Sequence, residues 1–335
     1  MIITRTPFRI SFFGGGTDYP AWYKENGGSV LSTAINKYCY LSCRDLPPFF
    51  KHKYRVVWSY QELVKKVEEI KHPSVRTTLN FLNIDRGVEI HHQADLPARS
   101  GLGSSSSFTV GLINALSGLN GEVKSKRQLA LEAIHVEQNL IKENVGSQDQ
   151  TIAAFGGLNR IDFGGTQEIS VQPIILKQTR FDSFRNHLML FFTGLSREAS
   201  KIAKEQIKNI KDRGSELKIM HELVNEGMAV LTNNKKDIGE FGTLMNEGWK
   251  IKKSLSSKIT NPYLDNIYKA GMGAGALGGK LLGAGGGGFI LFFAKPEVQP
   301  KIKSKLKNFL YVPFQFDHLG SQIIYHSQET HTNEI

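Results

Sequence analysis

The chain has 335 residues, 40% hydrophobic and 22% charged, a composition that supports a large core and, at this length, two domains rather than one. No segment approaches the ~18 uninterrupted apolar residues of a membrane span, and the opening MIITRTPFRISFFGGG lacks the basic, apolar and small-residue zones of a secretory signal, so a cytoplasmic protein and no membrane partner are expected. Lys and Arg outnumber Asp and Glu 42 to 31, and the net charge of +11 favours anionic partners; without a basic block of five or more residues, no nucleic acid is expected among them.

In chain order, residues 2–13 read as a strand that runs into Gly14-Gly15-Gly16-Thr17-Asp18. The missing side chains clear room beside Asp18, an acceptor suited to sugar hydroxyls. A tight turn capped by Asp18 accounts for the same residues. Arg9, inside the strand, must find an anion if it points inward. Residues 29–43 form a second strand, whose Cys39 and Cys43 share a face. At roughly 13 Å along the strand they cannot bridge each other. With no further ligand at zinc spacing, both read as structural thiols of a reducing compartment. After the break at Pro47-Pro48, YRVVWSY and GVEIHHQADLPA read as further strands.

The stretch LPARSGLGSSSSFTV, residues 96–110, closes a strand, turns on Gly101 and Gly103 and opens a helix that runs to Leu116. A helix start carries unpaired N–H groups and roughly half a positive charge, so it suits phosphate. One serine suffices as a cap; four, Ser104 to Ser107, imply a second duty. The next helix, 126–144, shows an apolar face of Leu129, Ala130, Ala133, Ile134, Leu140 and Ile141, and Glu137 falls on it. A carboxylate there either pairs with a basic residue or binds a metal. A third helix begins at Ser147, read as its N-cap, with Asp149 in the first turn where the dipole favours its charge.

Residues 187–194 read as an apolar strand, and long polar helices fill most of 196–255. The first of these starts at Ser196 and lines up Arg197, Lys201 and Lys204 on one face, either a grip for phosphate or a solvated surface. The tract GMGAGALGGKLLGAGGGG, 271–288, fails the phosphate-loop pattern because Leu281 follows Gly279-Lys280. Welded to the core strand 289–293, it reads instead as backbone that approaches a ligand or another segment closely. A helix and a strand end the chain. The thinnest join lies at 165–185, and no repeat is found.

Together PFRISFFGGGTDYP, LPARSGLGSSSS and KLLGAGGGGFILF resemble, in order and spacing, the three motifs of the GHMP small-molecule kinases, named for galactokinase, homoserine kinase, mevalonate kinase and phosphomevalonate kinase. The resemblance covers residues 7–293. It implies an α+β fold of two domains: 1–180, ribosomal-protein-like and holding ATP and substrate, and 181–335, a ferredoxin-like α/β sandwich closing the site. It implies ATP and Mg²⁺ as cofactors. Arg99, Ser100, Gly101, Leu102, Gly103, Ser104, Ser105, Ser106 and Ser107 would wrap the ATP phosphates. Ser105 and Glu137 would hold the metal, Asp149 would be the catalytic aspartate and Arg9 the assisting cation. Asp18, Gly15, Gly16, Thr17, Arg197, Gly283, Gly285 and Gly286 would meet the substrate. Galactokinase-type enzymes carry Glu-His where this chain has Gly15-Gly16, so galactose is not the expected substrate.

FFGGGTDYP, GSQDQ and TGLSREAS are most similar to a branch of the family, the bacterial D-glycero-D-manno-heptose 7-phosphate kinases. That likeness implies a small-molecule sugar phosphate as partner and anomeric phosphorylation to the 1,7-bisphosphate, on the way to nucleotide-activated heptose for surface polysaccharide, by a monomer or homodimer. A fucokinase-like enzyme acting on an unphosphorylated sugar is the alternative within the family. A basic RNA-binding protein is the alternative outside it.

Overall fold

The computed structural model describes residues 1–165, 168–195 and 199–327. The first sheet is founded on a long antiparallel pair, β1 (Ile2–Phe13) and β2 (Gly28–Asp45), joined through the short helix α1 (Pro20–Asn26). Alternation along β1 points Ile2, Phe8, Ile10 and Phe12 into the core. On β2, Cys39 and Cys43 are both buried and unbridged, and burial alone pushes the Cys43 thiol up to about 12 and Cys39 likewise upward, which keeps both thiols inert. The hairpin β3 (Tyr54–Val57) and β4 (Gln61–Val64), the helix α2 (Pro73–Phe81) and β5 (Val88–Ala94) follow.

The buried helix α3 (Ser104–Leu119) lies on β1 and β2. Against it pack α4 (Lys126–Ile134), which continues as a π-helical turn over His135–Leu140, and α5 (Gln148–Phe155). The wider turn shifts the phase of the helix, so Val136 and Glu137 are buried while Leu140, expected on the apolar face, is 43% exposed. Strands β6 (Leu158–Phe163) and β7 (Ile169–Pro173) complete this half.

The second half begins with α6 (Gln178–Asn186) and β8 (Leu188–Phe192). Helices α7 (Ala199–Asn209), α8 (Gly214–Thr232), α9 (Gly239–Ser254) and α10 (Pro262–Gly273) follow. Then come β9 (Gly278–Leu281), β10 (Phe289–Phe293), α11 (Gln299–Lys305), β11 (Leu310–Tyr311) and β12 (Gln322–His326). The second sheet has the order β11-β8-β10-β9. Strand β9 lies inside the glycine tract 271–288, where backbone was expected to approach a ligand or another segment closely. Its glycines permit that: a Cβ on Gly278 would stand 1.7 Å from the Gly242 carbonyl oxygen, so only bare backbone lets the strand pass α9.

The first sheet runs β12-β1-β2-β5-β3-β4, with β6 also on β2 and β7 on β6. Its edge strand β12 comes from the far end of the chain and pairs antiparallel with β1, Ile2 facing His326. The expected second domain, 181–335, therefore returns its end to the first. Phe12, Phe184 and Phe241 further fuse the halves edge to face, with centroids 5.3 Å apart for Phe12 and Phe184 and 4.8 Å for Phe184 and Phe241. Among the described residues, no helix is long and apolar enough to cross a membrane.

The Ser321 hydroxyl, just before β12, stands 2.8 Å from Thr6 Oγ1 and accepts from Asn114 Nδ2 at 3.1 Å, all three residues buried. Ser321→Ala leaves two buried polar groups unpaired and is expected to lower unfolding free energy by about 1–3 kcal/mol in urea titration. Unchanged stability would show that the chain end is not integral to the first sheet.

Candidate active site

The stretch between β5 and α3 is shaped by its backbone. Gly103 takes the cap position of α3 with a left-handed φ of 77°, and no side chain caps the helix. A serine was the expected cap, but a Cβ at Gly103 would sit 3.2 Å from Arg9 Cγ and 3.3 Å from Asp149 Oδ2. The first intrahelical bond is Ser107 N–H to the Gly103 carbonyl, so the preceding N–H groups have no partner within the helix, an arrangement that suits an anion.

Each of the four serines has its own position. Ser104 Oγ accepts from Arg99 N–H at 3.3 Å and closes the loop. Ser105 is exposed. Ser106 Oγ donates to Glu137 Oε2 at 2.8 Å, and Ser107 Oγ donates to the Pro7 carbonyl at 2.8 Å. The serine that meets Glu137 is thus Ser106, not Ser105. Ser106 shares a helix face with Val110 and Ile113, the face that packs on α4 and α5.

Glu137 is fully buried in the π-helical turn and also accepts from Gln150 Nε2. Burial, ahead of its neighbours, pushes its carboxyl up to about 7. Its Oε1 and the Gln150 Oε1 are buried without a partner. No basic residue answers the carboxylate among the described residues. An orphaned oxygen beside a hydroxyl and an amide oxygen is a hard-oxygen donor set that fits Mg²⁺. No group of three His, Cys, Asp or Glu forms a metal cage among the described residues, so such an ion would take its remaining ligands from phosphate and water.

Asp149, second residue of α5, meets Arg9 of β1 in a bidentate ion pair: Nε donates to Oδ1 and Nη2 to Oδ2, both at 2.7 Å. Arg9 Nη1 donates to the Gly101 carbonyl at 2.6 Å. The Arg9 side chain is 5% exposed and that of Asp149 21%, so the carboxylate is the member a substrate can reach. Ser147 stands at the start of α5 as expected but does not cap it; its hydroxyl meets Tyr23 and Gln138 instead.

Asp18 is buried, accepts from Gly16 N–H at 2.9 Å and lies against Gly146, while burial first and then the nearby Asp149 charge raise its pKa. Gly15 and Gly16 lie beside it. Thr17 is not free for a substrate: its hydroxyl donates to the Gly14 and Ser29 carbonyls at 2.8 and 2.9 Å and holds the turn. Gly283, Gly285 and Gly286 were also expected to meet substrate. Their close neighbours are protein: Gly283 packs on Gly101, Gly285 on Ile259, and Gly286 N–H donates to the Ile259 carbonyl. Arg197 and Ser196 lie outside the described residues, as does the Lys201 side chain, and Lys204 is exposed.

Two buried lysines escaped the sequence reading. Lys252 of α9 donates to the Gly283 carbonyl, and Lys280 of β9 donates to the Phe12 carbonyl at 2.7 Å. Burial, then Arg9, lowers Lys252 to about 8 against the pull of Asp18 and Asp149; burial, then Lys252, lowers Lys280 well below its usual range. The signal for Lys252 was present: Phe241, Met245, Trp249 and Lys252 are spaced as one buried face.

Two stretches match models of one family, described as the GHMP kinases N terminal domain, residues 62–157, and GHMP kinases C terminal, residues 219–312. The D-glycero-alpha-D-manno-heptose 7-phosphate kinase of Campylobacter jejuni is 30% identical over 307 residues, covering 88% of this chain and 90% of that one. The bifunctional fucokinase/GDP-fucose pyrophosphorylase of Arabidopsis thaliana is 26% identical over 323 residues, 88% of this chain but 30% of that protein. A solved structure of a D-glycero-D-manno-heptose 1-phosphate kinase from Bacteroides thetaiotaomicron shares the fold, with a TM-score of 0.78 at 22% identity over 97% of this chain and 100% of the other. With both domain models matched and a 30% identical relative spanning most of the chain, the protein belongs to the GHMP kinase family.

Proposed function

We propose that the protein transfers the γ-phosphoryl group of ATP to the anomeric hydroxyl of a sugar phosphate, with D-glycero-D-manno-heptose 7-phosphate as acceptor and the 1,7-bisphosphate as product. The carrying observation is the Arg9–Asp149 ion pair beside the uncapped start of α3. The 30% identity with a heptose 7-phosphate kinase supports the choice of acceptor.

The N–H groups at the start of α3 and the loop from Arg99 to Gly103 cradle the triphosphate. Arg9 occupies one lone pair on each Asp149 oxygen, fixing the carboxylate while leaving a second lone pair for the acceptor hydroxyl. Asp149 accepts the hydroxyl proton as the new O–P bond forms, and the electron pair of the breaking P–O bond leaves on ADP. Arg9 and Lys252 offset the charge around the transferring group. Glu137 and Ser106 would hold Mg²⁺, which would supply positive charge to offset that of the transferring phosphates. With a loose transition state, positioning contributes more than base strength.

A screen of sugars with and without a terminal phosphate tests the reading. ATP consumption is expected with the heptose 7-phosphate, and phosphorus NMR should place the new phosphate on the anomeric carbon. Preferred turnover of an unphosphorylated sugar would replace this reading with the fucokinase-like one.

Glu137→Gln tests the metal assignment. It is expected to raise the Mg²⁺ concentration for half-maximal activity by about tenfold or more; an unchanged Mg²⁺ titration would remove Glu137 from the metal site. The carboxyl holds its proton more tightly folded, at about 7, than at its ordinary 4.5, so its contribution to stability is full below 4.5 and is lost as pH rises through 7. Without metal and nucleotide, the variant should therefore be more stable than the parent at pH 8, on the order of 1–3 kcal/mol, with the gap closing toward pH 5.

A further inference from the structure

The loop between β2 and β3 stands away from the body of the protein. At its near end Leu46 is buried and its N–H donates to the Gly87 carbonyl at 2.8 Å. At its far end the Lys53 N–H donates to the Val64 carbonyl at 3.0 Å, and the Lys53 carbonyl accepts from Val88 N–H at 3.1 Å. Between these anchors Pro48, Phe49, Phe50 and Lys51 are exposed in succession, a projecting tip whose backbone Pro47-Pro48 restricts. Phe49 is 86% exposed and Phe50 42%, with the Arg55 guanidinium 5.0 Å from the centre of the Phe50 ring. Neither phenylalanine belongs to the hydrophobic core, and two adjacent aromatic side chains left in water call for an occupant.

Positive charge surrounds the tip. Lys51 and Lys53 follow it in sequence, and the pairing of β3 with β4 brings Lys65 and Lys66 to the same end of the hairpin. All four lysines are exposed and, among the described residues, none is in an ion pair. The nearby Glu69 carboxylate is turned to the backbone, accepting from the Lys65 and Lys66 N–H groups at 3.0 and 3.1 Å. Strand β5 starts at this end of the sheet with Val88 and leads to the Arg99–Gly103 loop from its other end at Ala94, so the tip and the start of α3 lie at opposite ends of that strand.

We propose that the Phe49-Phe50 tip docks the protein on a membrane surface rich in anionic lipid, the two rings entering the headgroup boundary while Lys51, Lys53, Lys65 and Lys66 meet lipid phosphates. Aromatic rings on a projecting turn suit that boundary, and lysines reach headgroups while their alkyl stems lie along apolar surface. A second copy of the chain is a poorer occupant, because a symmetric contact would set the same four lysines against one another. A folded protein partner needs a broad face, about 800 Å² per side, which a projecting turn does not supply. The absence of a membrane partner was expected from the lack of a spanning segment and of a signal sequence, and neither bears on docking at a surface.

Co-sedimentation of the full-length protein with lipid vesicles at physiological ionic strength tests the proposal. The parent is expected to sediment with vesicles of phosphatidylcholine and phosphatidylglycerol and to stay in solution with phosphatidylcholine alone. Phe49→Ser combined with Phe50→Ser changes no charge and is expected to weaken the partition about tenfold or more. Lys51→Glu with Lys53→Glu should weaken it comparably. Lys301→Glu with Lys305→Glu makes the same charge change at exposed positions of α11 and should leave the partition within about twofold of the parent. All six positions are exposed, so the melting temperatures should match that of the parent. A parent that does not sediment overturns the proposal. A partition that survives the loss of both rings, or an equal loss in the α11 variant, also overturns it, because either result is adsorption by net charge. Concentration-dependent dimers that vanish with Phe49→Ser and Phe50→Ser, in a protein that binds no vesicles, assign the tip to a second copy and overturn it as well.

Discussion

The site depends on one interaction, the buried fork between Arg9 of β1 and Asp149 of α5. A guanidinium 5% exposed inside a sheet is tenable only because a carboxylate answers it along two parallel hydrogen bonds. The third guanidinium nitrogen holds the Gly101 carbonyl, and the Arg9 N–H donates to the Leu102 carbonyl, so the same residue fixes the loop that opens α3. Gly101 in turn packs against Gly283, whose carbonyl receives Lys252. Strand, helix start, glycine loops and the Asp149 carboxylate are therefore one network. Losing the Asp149 charge leaves the Arg9 guanidinium buried and uncompensated, at a cost of about 3–5 kcal/mol.

Around that pair further ionisable groups are buried. Arg9, Lys252 and Lys280 are buried against Asp18 and Asp149, and burial lowers both lysines while it raises Asp18. Arg9, Lys252 and the uncapped start of α3 bring positive potential to the same region, a field that favours anions. Glu137 stands in the opposite situation, a lone buried carboxylate whose raised pKa and orphaned oxygen both ask for a cation. The two halves of the site thus differ in character, basic around Arg9 and Lys252 and carboxylic at Glu137.

Much of this was legible in the sequence. The alternation of β1 and β2, the helix rising from the serines and the burial of Glu137 all follow from periodicity. What was not legible came from contacts distant in the chain or from local departures from regular geometry. Gly103 caps α3 because Arg9 and Asp149 press on it, and neither is a sequence neighbour. Counting serines from the motif selected Ser105, whereas the packing of α3 on α4 and α5 turns Ser106 toward Glu137. Leu140 is exposed because a π-helical turn breaks the 3.6-residue phase. The return of β12 to β1 has no local signal. Lys252 did have one: its spacing from Phe241, Met245 and Trp249 puts it on a buried face, as the spacing of its helix does for Glu137.

The central claim is that Arg9 and Asp149 act as a unit, and a double-mutant cycle on kcat tests it most directly. Asp149→Asn, Arg9→Met and the double variant are compared with the parent at saturating substrates, with nucleotide-analogue binding confirming that each is folded. Asp149→Asn is expected to lower kcat about 100-fold or more. If the two residues form one device, the double variant is no worse than the more damaged single variant within about threefold. Losses that multiply, each residue acting independently of the other, would contradict the account.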